Sequence, residues 1–270
     1  MDIKRQKYTM EELYEFAEYL NKGNSLASTA RFFNVNYDTL KNNLTRHGLR
    51  TPVRTVKNKV KIILNENYFS EIDTHKKAYF LGLLFSDGYI CSNVYKTSKT
   101  VGIALQLEDK YILEEFKKEL EAEVEISEYK NSAKLTISNL KMYKDLKSLG
   151  IKEKKSSKDY DFPPIKKEFY NSFILGYFDG DGCITIKATK AIVVTISGNS
   201  RSFFEQMQKI LLENFDIETN IREETGKRKN PLYILYFKGR TNQLKFKNNM
   251  YSDSGIYLTR KHAKFMEIPC

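Results

Sequence analysis

The chain has 270 residues, of which 41% are hydrophobic, so it is long enough for one large domain or for two to three small ones. Its 45 Lys and Arg outnumber its 34 Asp and Glu, and the net charge of +11 suits a polyanionic partner, most simply nucleic acid, with a merely soluble basic protein as the alternative. The three cysteines are scattered, which argues against a zinc site and a disulfide framework. The sequence lacks a long apolar run, which argues against a signal peptide and a membrane span. We therefore expect a soluble intracellular protein, cytoplasmic or encoded by a phage or organelle, and not secreted.

Residues 1–50 predict a small all-helical domain. Apolar residues recur at helical spacing from Leu13 to Leu20, and SLASTARFFNV and NYDTLKNNLTRHG have the apolar positions of two short helices joined by a tight turn. The pattern resembles a helix-turn-helix with Asn36 to His47 as the recognition helix, and a plain three-helix support is the alternative. Its polar residues that would reach bases or phosphates are Tyr37, Thr39, Lys41, Asn42 and Arg46.

A basic stretch follows the predicted helices. RTPVRTVKNKVK contains one proline and many positive charges, and its apolar pattern is weak. We therefore predict a linker over residues 51–67, one that tracks a phosphate backbone.

The rest of the chain contains an internal repeat. AYFLGLLFSDGYI (Ala78–Ile90) aligns with SFILGYFDGDGCI (Ser172–Ile184), 94 residues later. A period of this length is too long for a solenoid unit, so each copy predicts a small domain, over residues 68–155 and 156–270. The shared pairs are Leu81/Leu175, Gly82/Gly176, Asp87/Asp181, Gly88/Gly182 and Ile90/Ile184.

The predicted elements after each copy follow the same order, and both halves predict αββαββα within an α+β fold. The first half predicts strands near Tyr89–Tyr95, Thr100–Leu107, Glu123–Tyr129 and Ala133–Ser138, with helices at YILEEFKKEL and MYKDLKSLG. The second half predicts strands at CITIKATK and AIVVTIS and near Ile217–Glu223 and Leu232–Lys238, with helices at FFEQMQKILLENF and near Gln243.

Alternating residues in these strands predict sheets with one face on helices and one face open. The predicted inward residues are Ile90, Val94, Ile103, Leu105, Leu107, Ile184, Ile186, Val194 and Ile196. The predicted outward residues, which would face a ligand, are Asn93, Tyr95, Ala104, Gln106, Thr185, Lys187 and Thr195, with Arg222, Lys227, Arg228 and Lys229 near a hairpin tip. Strands of about nine residues in two such sheets would span about 60 Å, or about 18 base pairs of DNA.

The repeated glycines and aspartates predict a shared site. A glycine inside a helix costs about 1 kcal/mol of stability relative to alanine. Gly82 and Gly176 are explained if the two helices that contain them approach closely across a pseudo-twofold axis. Asp87 and Asp181 then lie side by side at two helix C-termini, with Gly88 and Gly182 capping. Two carboxylates and two negative helix ends favour a bound cation. Oxygen ligands suit Mg²⁺, which supports phosphodiester hydrolysis.

FLGLLFSDG and ILGYFDGDG resemble the two motifs of the LAGLIDADG homing endonucleases in their single-chain, two-repeat form, from about Tyr68 to the C-terminus. The resemblance implies a DNA-binding saddle, a monomer and an intron-encoded, site-specific nuclease for double-stranded DNA. It also implies divalent metal, Mg²⁺ or Mn²⁺, at Asp87 and Asp181, and leaves a backbone contribution at Ser86 open. Asp179 matches the earlier acid of the motif, but Phe85 stands there in the first copy, so we expect Asp179 to be inessential for metal binding and incidental to the site.

The same resemblance implies further catalytic groups around the scissile phosphates. It places polar and basic residues near strand ends, which by position are Asp109 (or Gln106), Lys141, Asn199 and Lys238 (or Arg240). A basic residue such as Lys141 stabilises charge on the phosphorus or lowers the pKa of the attacking water, and the alternative is a solvated lysine at a helix start.

We therefore expect a Mg²⁺-dependent DNA endonuclease that cuts both strands of a long asymmetric target. The alternatives are an RNA-binding splicing maturase and a non-catalytic DNA-binding regulator on the same fold. An intein is not expected, because the sequence shows no splicing residues at either end.

Overall fold

The chain divides into two compact units, Met1–Lys61 and Ile62–Cys270. The computed structural model describes residues 8–49, 63–92, 99–153, 159–186, 192–225 and 230–267. Most of the predicted linker lies outside these ranges. Within them, no helix is both long and apolar enough to cross a membrane.

The first unit contains the three predicted helices, α1 (Met10–Asn21), α2 (Leu26–Phe32) and α3 (Tyr37–Arg46). Each helix begins at a polar N-cap: Thr9, Ser25 and Asn36 accept hydrogen bonds from backbone N–H groups of the first turn. The apolar faces share a separate small core, which comprises Leu13, Phe16, Ala17, Leu20, Ala30, Leu40 and Leu44.

The second unit contains both αββαββα repeats, as the sequence predicts. The first repeat has α4 (His75–Ser86), β1 (Gly88–Ser92), β2 (Lys99–Gln106), α5 (Lys110–Glu119), β3 (Ser127–Tyr129), β4 (Ser132–Ser138) and α6 (Leu140–Ser148). The second repeat has α7 (Tyr170–Asp181), β5 (Gly182–Ile186), β6 (Ile192–Gly198), α8 (Arg201–Phe215), β7 (Asn220–Glu224), β8 (Leu232–Lys238) and α9 (Arg240–Met250). A further helix, α10 (Thr259–Met266), follows and was not predicted.

Each repeat forms one four-stranded antiparallel sheet, in the orders β1-β2-β4-β3 and β5-β6-β8-β7. The alternation of β2 is as predicted: Ile103 and Leu105 are buried, whereas Ala104 and Gln106 are exposed. The described strands have at most eight residues, shorter than the nine expected.

Two predicted core positions are wrong. Leu107 is 37% exposed because β2 ends at Gln106 and Leu107 begins a short 3-10 turn, which breaks the alternation. Ile186 is 43% exposed because it is the last residue of β5, at the end of the sheet. Asn93, Val94, Tyr95 and Lys187 lie outside the described residues.

Helices α4 and α7 pack backbone against backbone at the centre of the second unit. A Cβ atom on Gly82 would lie 2.0 Å from the carbonyl oxygen of Phe173, and one on Gly176 would lie 2.0 Å from that of Tyr79. The two contacts are equivalent by the 94-residue repeat, so they obey the predicted pseudo-twofold relation. The glycines are therefore required by close approach.

The structure has Gly182, but not Gly88, in the predicted capping position. Gly182 is the C-cap of α7 but has an extended backbone with φ −87° and ψ 154°, and Gly88 already belongs to β1. In both repeats the chain leaves its helix directly into a strand. Glycine is needed because a Cβ would lie 2.6 Å from the carbonyl oxygen of Leu84 at Gly88, and 2.4 Å from that of Phe178 at Gly182.

Replacing Gly176 with alanine tests the backbone contact. The new methyl group would meet a carbonyl that cannot rotate away, so we expect Gly176→Ala to lower the free energy of unfolding by at least about 3 kcal/mol in chemical denaturation. Gly255→Ala is the control, because Gly255 has open space around it but a positive φ of 63°. Its cost should be only about 1–2 kcal/mol. Equal losses for both variants would contradict the close approach.

Candidate active site

The two repeated aspartates lie where α4 and α7 end. Asp87 is the C-cap of α4 and is exposed, and Asp181 is the last residue of α7 and is half-buried. A Cβ on Gly180 would lie 1.9 Å from the hydroxyl of Ser86 and 2.9 Å from Oδ2 of Asp87. The carboxylate of Asp87 therefore lies against the backbone that immediately precedes Asp181.

A buried tyrosine lies within electrostatic range of both carboxylates. Tyr177 is fully buried on α7, and its hydroxyl lies 3.0 Å from that of Tyr160. Burial raises the pKa of Tyr177 well above its ordinary value, and the negative charges of Asp181 and Asp87 both add to this effect. The two acids thus act on one common region of the protein.

Lys261 donates hydrogen bonds to carbonyl groups at the end of α7. This side chain of α10 is buried, and its ammonium donates to the carbonyl oxygens of Phe178 (2.8 Å), Asp179 (2.6 Å), Gly180 (3.3 Å) and Gly182 (2.6 Å). Burial lowers the pKa of Lys261 to about 8, which the charge of Asp179 opposes. Sequence reasoning missed this residue. The available signal was its helical spacing from the apolar Phe265, which is also buried on α10.

Asp179 is a structural residue rather than an incidental one. Its Oδ2 accepts hydrogen bonds from the hydroxyl of Tyr79 and the N–H of Leu258, both at 2.8 Å. Asp179 is buried, and burial raises its pKa to about 6. Phe85 at the equivalent position of α4 packs its ring against Tyr160. The two repeats therefore use this position differently, which explains why only one copy has an acid.

Two further predicted catalytic residues are engaged in ion pairs. Asp109 is buried at the start of α5, and both its oxygens accept from Arg260, at 2.9 to 3.2 Å. Lys141 lies in the first turn of α6 and donates to Ser70 and Asp145, both at 2.6 Å. Their catalytic roles stay predictions, which these pairings disfavour.

The candidates of the second repeat lie near strand ends. Asn199 is half-buried directly after β6. Lys238 is exposed at the end of β8, with its ammonium 5.8 Å from the ring centre of Tyr236, and Arg240 begins α9. Their roles in catalysis remain predictions.

The donor atoms at the site fit magnesium. Among the described residues, no group of three or more His, Cys, Asp and Glu side chains is arranged to hold a metal ion. Asp87 and Asp181 offer two carboxylates that solvent reaches at least in part, which is the set Mg²⁺ uses when water and substrate phosphates supply its other ligands. A closed zinc or calcium site would need more protein ligands.

The outer faces of both sheets combine a tyrosine with basic groups. In the first sheet, the ring of Tyr89 covers Gly102, and the ammonium of Lys134 lies 5.1 Å from the ring centre. In the second sheet, Arg222 lies 5.9 Å from the ring centre of Tyr236, which Lys238 also contacts. The sequence already pointed to Arg222 and Lys238, and strand register could have identified Tyr89, Lys134 and Tyr236, because these three alternate with buried neighbours.

The other predicted DNA-contacting residues are distributed as follows. Gln106 and Thr185 are exposed and Thr195 is half-buried on the outer sheet faces. In the first unit, Tyr37, Lys41, Asn42 and Arg46 are exposed on α3, and Thr39 is half-buried. Lys227, Arg228 and Lys229 lie outside the described residues.

Comparisons with known proteins agree with this architecture. Residues 168–251 match the family model described as a LAGLIDADG-like domain. The intron-encoded DNA endonuclease ai2b of Dictyostelium discoideum is 27% identical over 184 residues, which cover 62% of this chain and 68% of that protein. A probable translation initiation factor IF-2 of Methanocaldococcus jannaschii is 29% identical over 184 residues, which cover 64% of this chain but only 15% of that protein.

Solved structures share the fold. The homing endonuclease I-DmoI in complex with DNA and Ca has a TM-score of 0.51 at 17% identity, covering 75% of this chain and 98% of that chain. A mesophilic variant of I-DmoI has a TM-score of 0.50 at 18% identity, covering 74% and 98%. Residues 168–251 are thus similar to a LAGLIDADG-like domain, and the resemblance found in the sequence is confirmed.

The buried carboxyl of Asp179 predicts a pH dependence of stability. The pKa of Asp179 is about 6 in the folded chain, against an ordinary value of 3.8, so the folded state binds the proton more tightly than the unfolded state. Protonation of Asp179 therefore stabilises the fold at low pH, and this stabilisation is lost as pH rises from about 4 through 6. We expect the free energy of unfolding of the wild type, relative to Asp179→Asn, to fall by about 2 kcal/mol over this range, measured by denaturation at each pH. A difference independent of pH would contradict this assignment.

Proposed function

We propose that this protein is a site-specific endonuclease that hydrolyses phosphodiester bonds in both strands of double-stranded DNA, with Mg²⁺ or Mn²⁺ held by Asp87 and Asp181. The observation that carries the proposal is the contact between Asp87 and Gly180, which brings the two acids to one place. Two of the similar proteins agree with this proposal, because ai2b is an intron-encoded DNA endonuclease and I-DmoI is a homing endonuclease solved with DNA.

The proposed chemistry divides between the two helix ends. When bound, a divalent cation supplies an activated water and stabilises the leaving oxygen. Asp87 and Asp181 would hold this cation from the ends of two different helices. Because the two acids are related by pseudo-symmetry, the arrangement suits cleavage of two antiparallel strands. Lys141 and Lys238 are the candidates for stabilising phosphate charge, once Lys141 exchanges Asp145 for a phosphate oxygen.

The proposed DNA interface is the pair of outer sheet faces. Sheets of this kind fit the major groove, where polar side chains read base edges and basic ones contact phosphates. Gln106 and Thr185 are candidates for base contacts, and Lys134 and Arg222 for phosphate contacts. The two sheets present different residues, so the target should be long and asymmetric, and a monomer suffices to bind it.

The first unit would supply a DNA contact of its own. Its exposed α3 residues are of the types that a recognition helix uses, and Asn36 fixes the start of that helix through the N–H groups of Asp38 and Thr39. We therefore infer a second DNA contact from Lys41 and Arg46, in an intracellular compartment that contains DNA.

Cleavage of a DNA library tests the function. We expect specific double-strand cuts in Mg²⁺, none in EDTA, and a loss of at least about 100-fold in rate for Asp181→Asn. Asp216→Asn is the control and should cut at the wild-type rate. Asp216 is an exposed acid in a left-handed conformation that asparagine also adopts. Its ion pair with Lys245 is close to solvent and contributes little to stability. Tight DNA binding without cutting would favour the regulator, and binding of RNA instead would favour the maturase.

The salt dependence of binding tests the first unit. If Lys41 and Arg46 each contact a phosphate, Lys41→Ala/Arg46→Ala should reduce the slope of log K against log salt by about 2, measured by fluorescence anisotropy. Lys22→Ala on the end of α1, where Lys22 pairs with Glu18, is the control and should leave the slope unchanged. An unchanged slope in the double variant would mean that α3 does not contact DNA phosphates.

A further inference from the structure

The backbone carbonyl groups at the C-terminal end of α7 have unusual hydrogen-bond donors. The last carbonyl groups of a helix lack partners within the helix and usually bind water or a following glycine turn. Here the carbonyl oxygens of Phe178, Asp179, Gly180 and Gly182 converge on the ammonium of Lys261. The remaining one, of Asp181, accepts from the hydroxyl of Ser197 at 3.3 Å. Five consecutive carbonyl groups around the candidate metal ligand are thus held by side chains.

The segment that carries Lys261 is anchored on the first repeat. Arg260 pairs with the buried Asp109, and the N–H of Thr259 donates to the hydroxyl of Tyr111 at 2.8 Å. That hydroxyl lies 3.1 Å from the carbonyl oxygen of Tyr257, to which it donates. Residues 257–261 therefore connect the first repeat to the helix end that bears Asp181.

We propose that Lys261 is a positioning residue for the endonuclease reaction: its ammonium fixes the end of α7 so that the carboxylate of Asp181 stays beside that of Asp87. This inference rests on the proposed function and extends it to a residue outside both repeated motifs. Lys261 does not touch the reacting atoms; it acts through the backbone on either side of Asp181.

The electrostatics support a lysine at this place. A helix C-terminus carries partial negative charge, which disfavours two carboxylates beside it. The positive charge of Lys261 interacts favourably with Asp179, Asp87 and Asp181, and therefore offsets this repulsion. A compact ammonium can lie at the centre of several carbonyl groups, whereas the planar fork of arginine cannot converge on them in the same way.

The test compares two variants of α10. Lys261→Met removes the ammonium, and Phe265→Leu, the control, weakens the packing of the same helix while leaving Lys261 in place. The substrate is the DNA that the wild type selects and cuts. We expect the single-turnover rate of Lys261→Met to fall about 10- to 100-fold below that of Phe265→Leu, as for residues that orient metal ligands, with DNA affinity in EDTA unchanged.

Mg²⁺ alone gives a readout that does not depend on cleavage. The rise in Tm on adding Mg²⁺ should be retained in Phe265→Leu and reduced in Lys261→Met, because ion binding stabilises the fold only where the two acids are held together. If Lys261→Met does not fold, Lys261→Arg takes its place and should cleave at least about threefold more slowly than Phe265→Leu.

The outcomes separate the two proposals. A lysine variant that cleaves as fast as Phe265→Leu and keeps its Mg²⁺-induced rise in Tm overturns the positioning role and leaves the endonuclease standing. A wild type that cuts no DNA overturns the endonuclease. In that case the Mg²⁺ experiment alone decides whether Lys261 positions the acids, and an equal rise in Tm for Lys261→Met and Phe265→Leu overturns that role.

Discussion

The direct contact between the backbones of α4 and α7 is the constraint on which the rest of the second unit depends. Gly82 and Gly176 each lie where a side chain would overlap a carbonyl group of the other helix. Because helices this close cannot diverge before they end, their final residues emerge together. The two sheets then extend from adjacent points, since β1 and β5 begin immediately after the helices.

This arrangement concentrates negative charge, and the surrounding residues compensate for it. Asp87 and Asp181 face solvent at least in part, whereas Asp179 is buried with two hydrogen-bond donors. Lys261 supplies the buried positive charge, and through its neighbour Arg260 the same segment contacts Asp109 of the first repeat. The proposed reaction site is thus supported by a segment that belongs to neither repeated motif.

The repeat, the strand order and the glycine contact could be predicted because each leaves a pattern of side chains in the sequence. The helical spacing from Phe265 could place Lys261 on a buried helix face. Its role could not be predicted, because its partners are backbone carbonyl groups, which have no residue identity. Asp179 was misjudged because Tyr79 and Leu258 are distant in sequence and one bond comes from a backbone N–H. Leu107 was misplaced because alternation does not mark where a strand ends.

Anomalous diffraction from crystals grown with Mn²⁺ and DNA tests the central claim most directly. If α4 and α7 converge to form one reaction site, manganese should be found bonded to carboxylate oxygens of both Asp87 and Asp181, beside the DNA phosphates. Manganese bound elsewhere, or to neither aspartate, would contradict the account.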